Sequence, residues 1–130
     1  DRDFFAWLFA QNKSKKDVVK YETPYRFAVL DINGNVVIDE KDIIGIGSFE
    51  ISGLVEVELT LSDEGREKLK NAYTKSGGKE FTVYCMSQKL YSFTATKAPA
   101  DNLFVISDVF NEDNFTGFYK TIQRVCLNIT

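Results

Sequence analysis

The chain has 130 residues, carries 16 basic against 19 acidic side chains for a net charge of −3, and contains no histidine. That is the size of one ordinary domain, able to bury about two thirds of the surface its unfolded form exposes without a metal or disulfide to hold it. The charge balance gives no basis for binding a polyanion such as nucleic acid, and the missing histidine removes the commonest zinc ligand and neutral-pH proton carrier.

From the N-terminus, Phe4, Phe5, Trp7, Leu8 and Phe9 predict a helix over Asp1 to Gln11, apolar on too many sides to lie free and suited to packing on a core. Lys13, Lys15, Lys16 and Lys20 follow, and an aromatic cluster beside lysines is also the pattern of a membrane-surface anchor. The short segment and poorly defined polar face favour a packed helix and a solvated linker, together residues 1–22. No apolar run approaches the ~20 residues of a membrane-spanning helix. The start at Asp1 suits a mature form cut from a longer precursor, so export is expected, with any membrane attachment coming from a lost N-terminal anchor.

Thr23-Pro24 breaks any helix, and Tyr25 to Leu30, Asn33-Gly34 and Val36 to Ile38 read as a hairpin within an extension over residues 23–54. Asp31, Asn33, Asn35, Asp39 and Asp42 also fall at positions one, three, five, nine and twelve of a calcium-loop spacing. Val36 stands where that loop needs glycine, and Asp42 replaces its bidentate glutamate, so the hairpin is the preferred reading and no metal is expected. Asp39 to Ile44 looks like a short helical turn, and the glycines Gly45, Gly47 and Gly53 punctuate an irregular approach to the next strand.

The centre of the chain is the clearest part. Val55, Val57 and Leu59 alternate with Glu56 and Glu58, which predicts a half-buried strand with both glutamates on its open face. Ser62 caps a helix whose first turn holds Asp63 and Glu64 and whose apolar stripe is Leu69, Ala72 and Tyr73. Gly77-Gly78 ends it, and Phe81, Val83 and Cys85 alternate with Thr82, Tyr84 and Met86 in a second strand. Gln88-Lys89 reads as a turn, with Leu90 to Thr94 and Leu103 to Ile106 as further strands. Asn111 to Asp113 caps a helix bearing Phe115, Phe118, Tyr119 and Ile122, and Val125, Leu127 and Ile129 alternate as a last strand. Residues 55–130 thus read βαββαβ, an α+β ferredoxin-like sheet, antiparallel, with two helices on one face and the N-terminal helix and hairpin added to it.

Little in this chain suits catalysis. Cys85 and Cys126 are expected at opposite edges of a four-stranded sheet, ~14 Å apart at ~4.8 Å per strand, so no disulfide is expected. Without histidine neither thiol has an evident base. Glu56 and Glu58 are read as solvated strand residues rather than a glycosidase pair, and no phosphate loop, dinucleotide fingerprint or G-x-S-x-G turn is present. The N-x-[ST] sites at Asn12, Asn114 and Asn128 matter only in a eukaryotic secretory setting. Glu56, Glu58, Thr82 and Tyr84 are instead expected to line an open sheet face able to hold an extended peptide without catalysis.

The run Val55-Glu-Val-Glu-Leu-Thr-Leu-Ser-Asp-Glu-Gly65, the strand opened by Gly78-Lys79, and Ile106-Ser107 followed by Phe110 and a helix resemble the extracytoplasmic head of the SecD protein-export subunit. The resemblance extends from about Val36 to Ile122, Val37 to Ile43 matching the family's approach to its first strand. It departs at Ser92-Phe93-Thr94, where the family has Ser-Ala-Pro, and at Asp101-Asn102, where it has a glycine pair. Nothing in these residues corresponds to the family's transmembrane helices, so coupling of export to ion flow is not carried over. The resemblance implies a non-catalytic, extracytoplasmic binding module of the bacterial cell envelope, exported or anchored as a lipoprotein is, without cofactor, that holds extended or unfolded polypeptide and has a protein or peptide as its partner. The alternative is a structural or inhibitory domain of a cell-envelope assembly.

Overall fold

Among the described residues, 2–12 and 26–128 of the computed structural model, the chain runs α1 (Arg2–Asn12), β1 (Phe27–Leu30), β2 (Val36–Asp39), a 3-10 turn (Glu40–Asp42), β3 (Ile43–Ile51), β4 (Leu54–Leu61), α2 (Asp63–Ser76), β5 (Glu80–Cys85), β6 (Gln88–Thr94), β7 (Leu103–Phe110) and α3 (Glu112–Val125). The expected break at Thr23-Pro24, the lysines from Lys13 to Lys20 and Ile129 lie outside the described residues. The fold is α+β, and every strand pairing is antiparallel.

The strands form two sheets, ordered β2-β1-β5-β6 and β3-β4-β7, rather than the one ferredoxin-like sheet expected from the order of elements. The reason lies in partners far apart in sequence. β1 pairs along β5, from Phe27 opposite Cys85 to Leu30 opposite Thr82, so the hairpin is built into a sheet instead of being appended to one. β4 is flanked by β3 and β7 and never meets β5.

β4 nevertheless has the predicted faces: Val55, Val57, Leu59 and Leu61 are buried, and Glu56, Glu58 and Thr60 point outward. The Ser62 hydroxyl accepts the Gly65 N–H at 3.0 Å, starting α2, whose Leu69 and Tyr73 enter the core. Gly65 lies against Asp42, whose Cβ would be 2.8 Å from any Cβ added to the glycine. Asp42 in turn accepts the Asp39 N–H at 3.0 Å, while Asp39 caps the 3-10 turn by accepting from Lys41 N–H. β5 and β6 are joined by Met86 and Ser87, both at positive φ, which moves the turn two residues ahead of the expected Gln88-Lys89.

Asn111 Oδ1 accepts the Asn114 N–H at 3.0 Å, and α3 buries Gly117, Phe118, Thr121 and Ile122. This i, i+4 stripe carries the helix through Val125, with Cys126 as its cap, so the C-terminal strand expected from Val125 and Leu127 does not form there. Helical hydrogen bonding claims these residues before their short alternation finds a strand partner. α1 packs on α3 and β6. Phe4 and Leu8 are buried and Phe5 and Trp7 partly so, whereas Phe9 stays 64% exposed. One apolar cluster runs from Phe4 to Ile122 through both sheets and all three helices.

Both cysteines are free. The reason differs from the expected one, since Cys126 caps a helix rather than sitting on an edge strand, and it is close enough to Cys85 to add to the upward shift of that thiol's pKa. Burial is the larger cause for both, raising Cys85 well above the usual thiol range and Cys126 to about 12, the latter helped by Glu40 and Asp39.

Candidate functional site

Two strand edges, one from each sheet, flank a groove of about 380 Å³. β6 supplies Tyr91 and Phe93, β7 supplies Leu103 and Phe104, and Tyr73 comes from α2. Phe93 is the hub of the wall. Its ring stacks on Phe81 at 5.6 Å and Tyr91 at 5.7 Å, and meets Phe104 edge-on at 5.6 Å and Tyr73 at 6.3 Å. Such contacts fix ring positions beyond what area burial alone would do. Burial raises the pKa of both phenols, and Tyr73 raises that of Tyr91 further, so both stay neutral, able to donate or accept a hydrogen bond. Lys97 is the charged side chain among those lining the groove.

The backbone of β7 gives this groove its chemistry. Leu61 N–H donates to Asn102 O at 2.6 Å, which sets Phe104 opposite Leu59 and Ile106 opposite Val57 as the residues whose polar groups face β4. Leu103 and Val105, between them, turn N–H and C=O to the other side. β6 and β7 are not paired with each other, so that side is a strand edge. Among the described residues these groups have no strand partner, and an aromatic wall beside them offers the two elements of extended-chain recognition: main-chain pairing and recesses for alternate side chains.

Two solved structures share the architecture. One, a membrane component SecDF that enhances protein export, superposes with a TM-score of 0.59 and 16% identity over 74% of this chain and 44% of its own. The other, SecDF in a super-membrane-facing form, gives 0.62 and 16% over 95% of this chain and 16% of its own. The chain has a SecDF-like fold. It spans less than half the length of either SecDF chain, and at this identity the likeness to SecDF concerns fold alone. No protein-family model and no curated protein sequence matches. No helix among the described residues is long and apolar enough to cross a membrane.

The expected site residues fall in different places. Glu56 and Glu58 stand on the outer face of β4, while Thr82 and Tyr84 belong to β5 in the other sheet. Thr82 hydrogen-bonds Ser92 at 3.2 Å, and Tyr84 is buried with Ala28 and Leu30 in a small second cluster. The four therefore do not make one surface. The calcium-loop residues are divided as well. Asp31 accepts from Asn33 N–H and Asn35 N–H, both at 2.9 Å, and so shapes the β1–β2 turn, whereas Asp39 and Asp42 cap the 3-10 turn and Asp42 pairs with Lys68 Nζ at 3.2 Å. Among the described residues no three acidic or cysteine side chains cluster as metal ligands would. Sequence does not disclose the groove, because Tyr73 reads as part of a helix stripe and Tyr91, Phe93 and Leu103 as strand residues; the polar loop from Lys97 to Asn102 that separates β6 from β7 is the available signal that the two strands need not pair.

Proposed function

We propose that the domain is a non-catalytic, extracytoplasmic binding module that holds an extended stretch of polypeptide along β7, in the groove between the two sheets. The observation that carries this reading is the outward backbone edge at Leu103 and Val105 beside the Phe93 wall. A bound strand pairs with that edge, sets its apolar side chains against Tyr91, Phe93 and Phe104, and places any acidic group near Lys97. Unfolded polypeptide offers both unpaired backbone and exposed apolar side chains, which suits the protein-export setting of the SecDF structures that share the fold. This replaces the sheet face first expected to bind, of which Thr82 and Tyr84 are engaged within their own sheet.

The test is a Val105→Pro substitution, which removes an outward N–H without removing a bond to β4. An extended apolar peptide titrated into the wild-type domain is expected to give saturable amide shifts over Tyr91 to Thr94 and Leu103 to Ser107. Val105→Pro is expected to abolish them with a nearly unchanged melting temperature. Full binding by that variant, or no shifts in the wild type at millimolar peptide, would overturn the reading in favour of a structural or inhibitory domain of a larger assembly.

A further inference from the structure

The outer face of the three-stranded sheet combines apolar exposure with one sign of charge. Residues opposite one another in an antiparallel ladder share a face, so the pairs Ile51–Leu54, Phe49–Glu56 and Gly47–Glu58, with Val105 beyond Glu58, stand together. Ile51, Leu54, Phe49 and Val105 are 50, 42, 44 and 44% exposed. Glu56 and Glu58 stand on this face and Asp108 borders it, while β3, β4 and β7 contain no lysine or arginine. At the turn end of the sheet, Ile51, Leu54, Glu56 and Asp108 border a hollow of about 200 Å³. Its apolar sides and acidic rim suit the aliphatic stem and charged head of a lysine or arginine.

We infer that this face is a docking surface for a cationic amphipathic helix of a partner protein. Three strands at ~4.8 Å spacing make a strip about 10 Å wide, the width of one helix. A sheet face is ordinarily covered by such a helix, as the inner face of this sheet is by α3. Charge selects the kind of helix. Apolar residues at i, i+3, i+4 and i+7 lie on Phe49, Leu54 and Val105, and flanking lysines or arginines reach Glu56, Glu58 and Asp108. An acidic helix with the same apolar stripe meets only repulsion. The two surfaces meet at Val105, whose side chain stands on this face and whose backbone belongs to the β7 edge. Phe49, Leu54, Glu56 and Glu58 lie outside the groove lining, so docking here does not depend on the groove being occupied.

The experiment uses the whole chain and two synthetic 18-residue helical peptides with the same apolar stripe, one bearing lysine and arginine on its polar face and the other glutamate. The cationic peptide is expected to bind saturably, with amide shifts over Phe49 to Glu58. Its Kd is expected to rise tenfold or more in the double variant Glu56→Gln/Glu58→Gln and with added salt, and to be unchanged in Lys97→Ala. Phe49→Ser, at an exposed position, is expected to weaken binding while leaving the melting temperature in place. Equal affinity for the two peptides, or no binding of the cationic one at millimolar concentration, would overturn the inference. So would concentration-dependent dimerisation of the chain alone that Phe49→Ser abolishes, since the occupant would then be a second copy.

Discussion

Gly117 on α3 holds open the space that Phe4 on α1 fills: a Cβ placed on Gly117 would stand 2.8 Å from Phe4 Cγ. The Phe4 ring then rests edge-on against Phe118 at 6.0 Å, and Phe118 stacks on Phe110 at 4.6 Å. Gly117→Ala must move Phe4, and overpacking of this kind costs about 1–3 kcal/mol. Denaturant unfolding is expected to report that loss. The sole tryptophan, Trp7, lies 6.1 Å from Phe110 and reports locally. An unchanged midpoint together with unchanged Trp7 emission would mean that α1 is not seated on α3 as described.

Asp42 is only 3% exposed, yet it satisfies the Asp39 N–H and pairs with Lys68. Asp42→Ala strips both groups of their acceptor, with an expected cost of about 1–3 kcal/mol. Lys68→Met leaves the cap intact, and because the Lys68 side chain is 45% exposed its cost is expected to stay below about 1 kcal/mol. The hydrogen bond to Asp42 raises the Lys68 pKa above its ordinary 10.5. Its stabilisation is therefore fully present below pH 10.5 and lost as pH rises through the raised value. Thermal melts of Lys68→Met and wild type are expected to converge at strongly alkaline pH; a constant gap would deny the ion pair its role.

Glu112, in the first turn of α3, has its pKa raised by a hydrogen bond to the Glu50 carboxyl and then by the charge of the same group. A folded-state pKa above the unfolded one means that the pair stabilises when protonated and that this is lost as pH rises through the folded value. At neutral pH the two carboxylates repel. Glu50→Gln is therefore expected to raise the melting temperature at pH 7 and to lose that advantage as pH falls through the raised value and below the ordinary 4.5. The same gain at both pH values would rule out the carboxyl pair.

Thiolate, not thiol, is the reactive form, and Cys126, with its pKa near 12, and the fully buried Cys85 form little of it near neutrality. At pH 8 a thiol reagent is expected to modify the native protein on the order of 1000-fold more slowly than an exposed cysteine of ordinary pKa. Two equivalents should react on denaturation. Rapid labelling of one thiol in the native state would contradict the packing of Cys126 at the end of α3.

What could be read from sequence was what neighbours in the chain decide. The alternation of Val55, Val57 and Leu59, the Ser62 and Asn111 caps and the Asn33-Gly34 turn each state a local preference, and the corresponding elements form. Partner choice is not local: nothing in Phe27 to Leu30 announces Thr82 to Cys85 as its ladder, and so one sheet was expected where there are two. Tyr84 illustrates the same limit, because alternation put it on an outer face that turns out to be buried at Ala28 and Leu30. The groove depends on β6 and β7 facing each other unpaired, a relation between residues separated by a loop, and Glu56 and Glu58 kept their predicted outward face because β4 alone decides it.

The division into two sheets also bears on how the chain reaches its native state. Three hairpins, β1–β2, β3–β4 and β5–β6, close over short turns, and such units form in about 1–10 μs. Joining Leu30 to Thr82 and Val57 to Ile106 instead requires closing long loops, whose entropy must be met before the contacts respond. The hypothesis is that the hairpins come first and that these two seams limit the rate. Substitutions at Val57 and Ile106 should then slow folding, whereas Phe93, which meets Phe104 across strands that do not pair, should chiefly affect unfolding. Stopped-flow rates for Ile106→Val and Phe93→Leu would decide it, and a larger folding-rate effect from Phe93 would reverse the order. Until those seams close, the strand edges at β5 and β7 stay open together, and the growing chain carries two places where another strand could intrude.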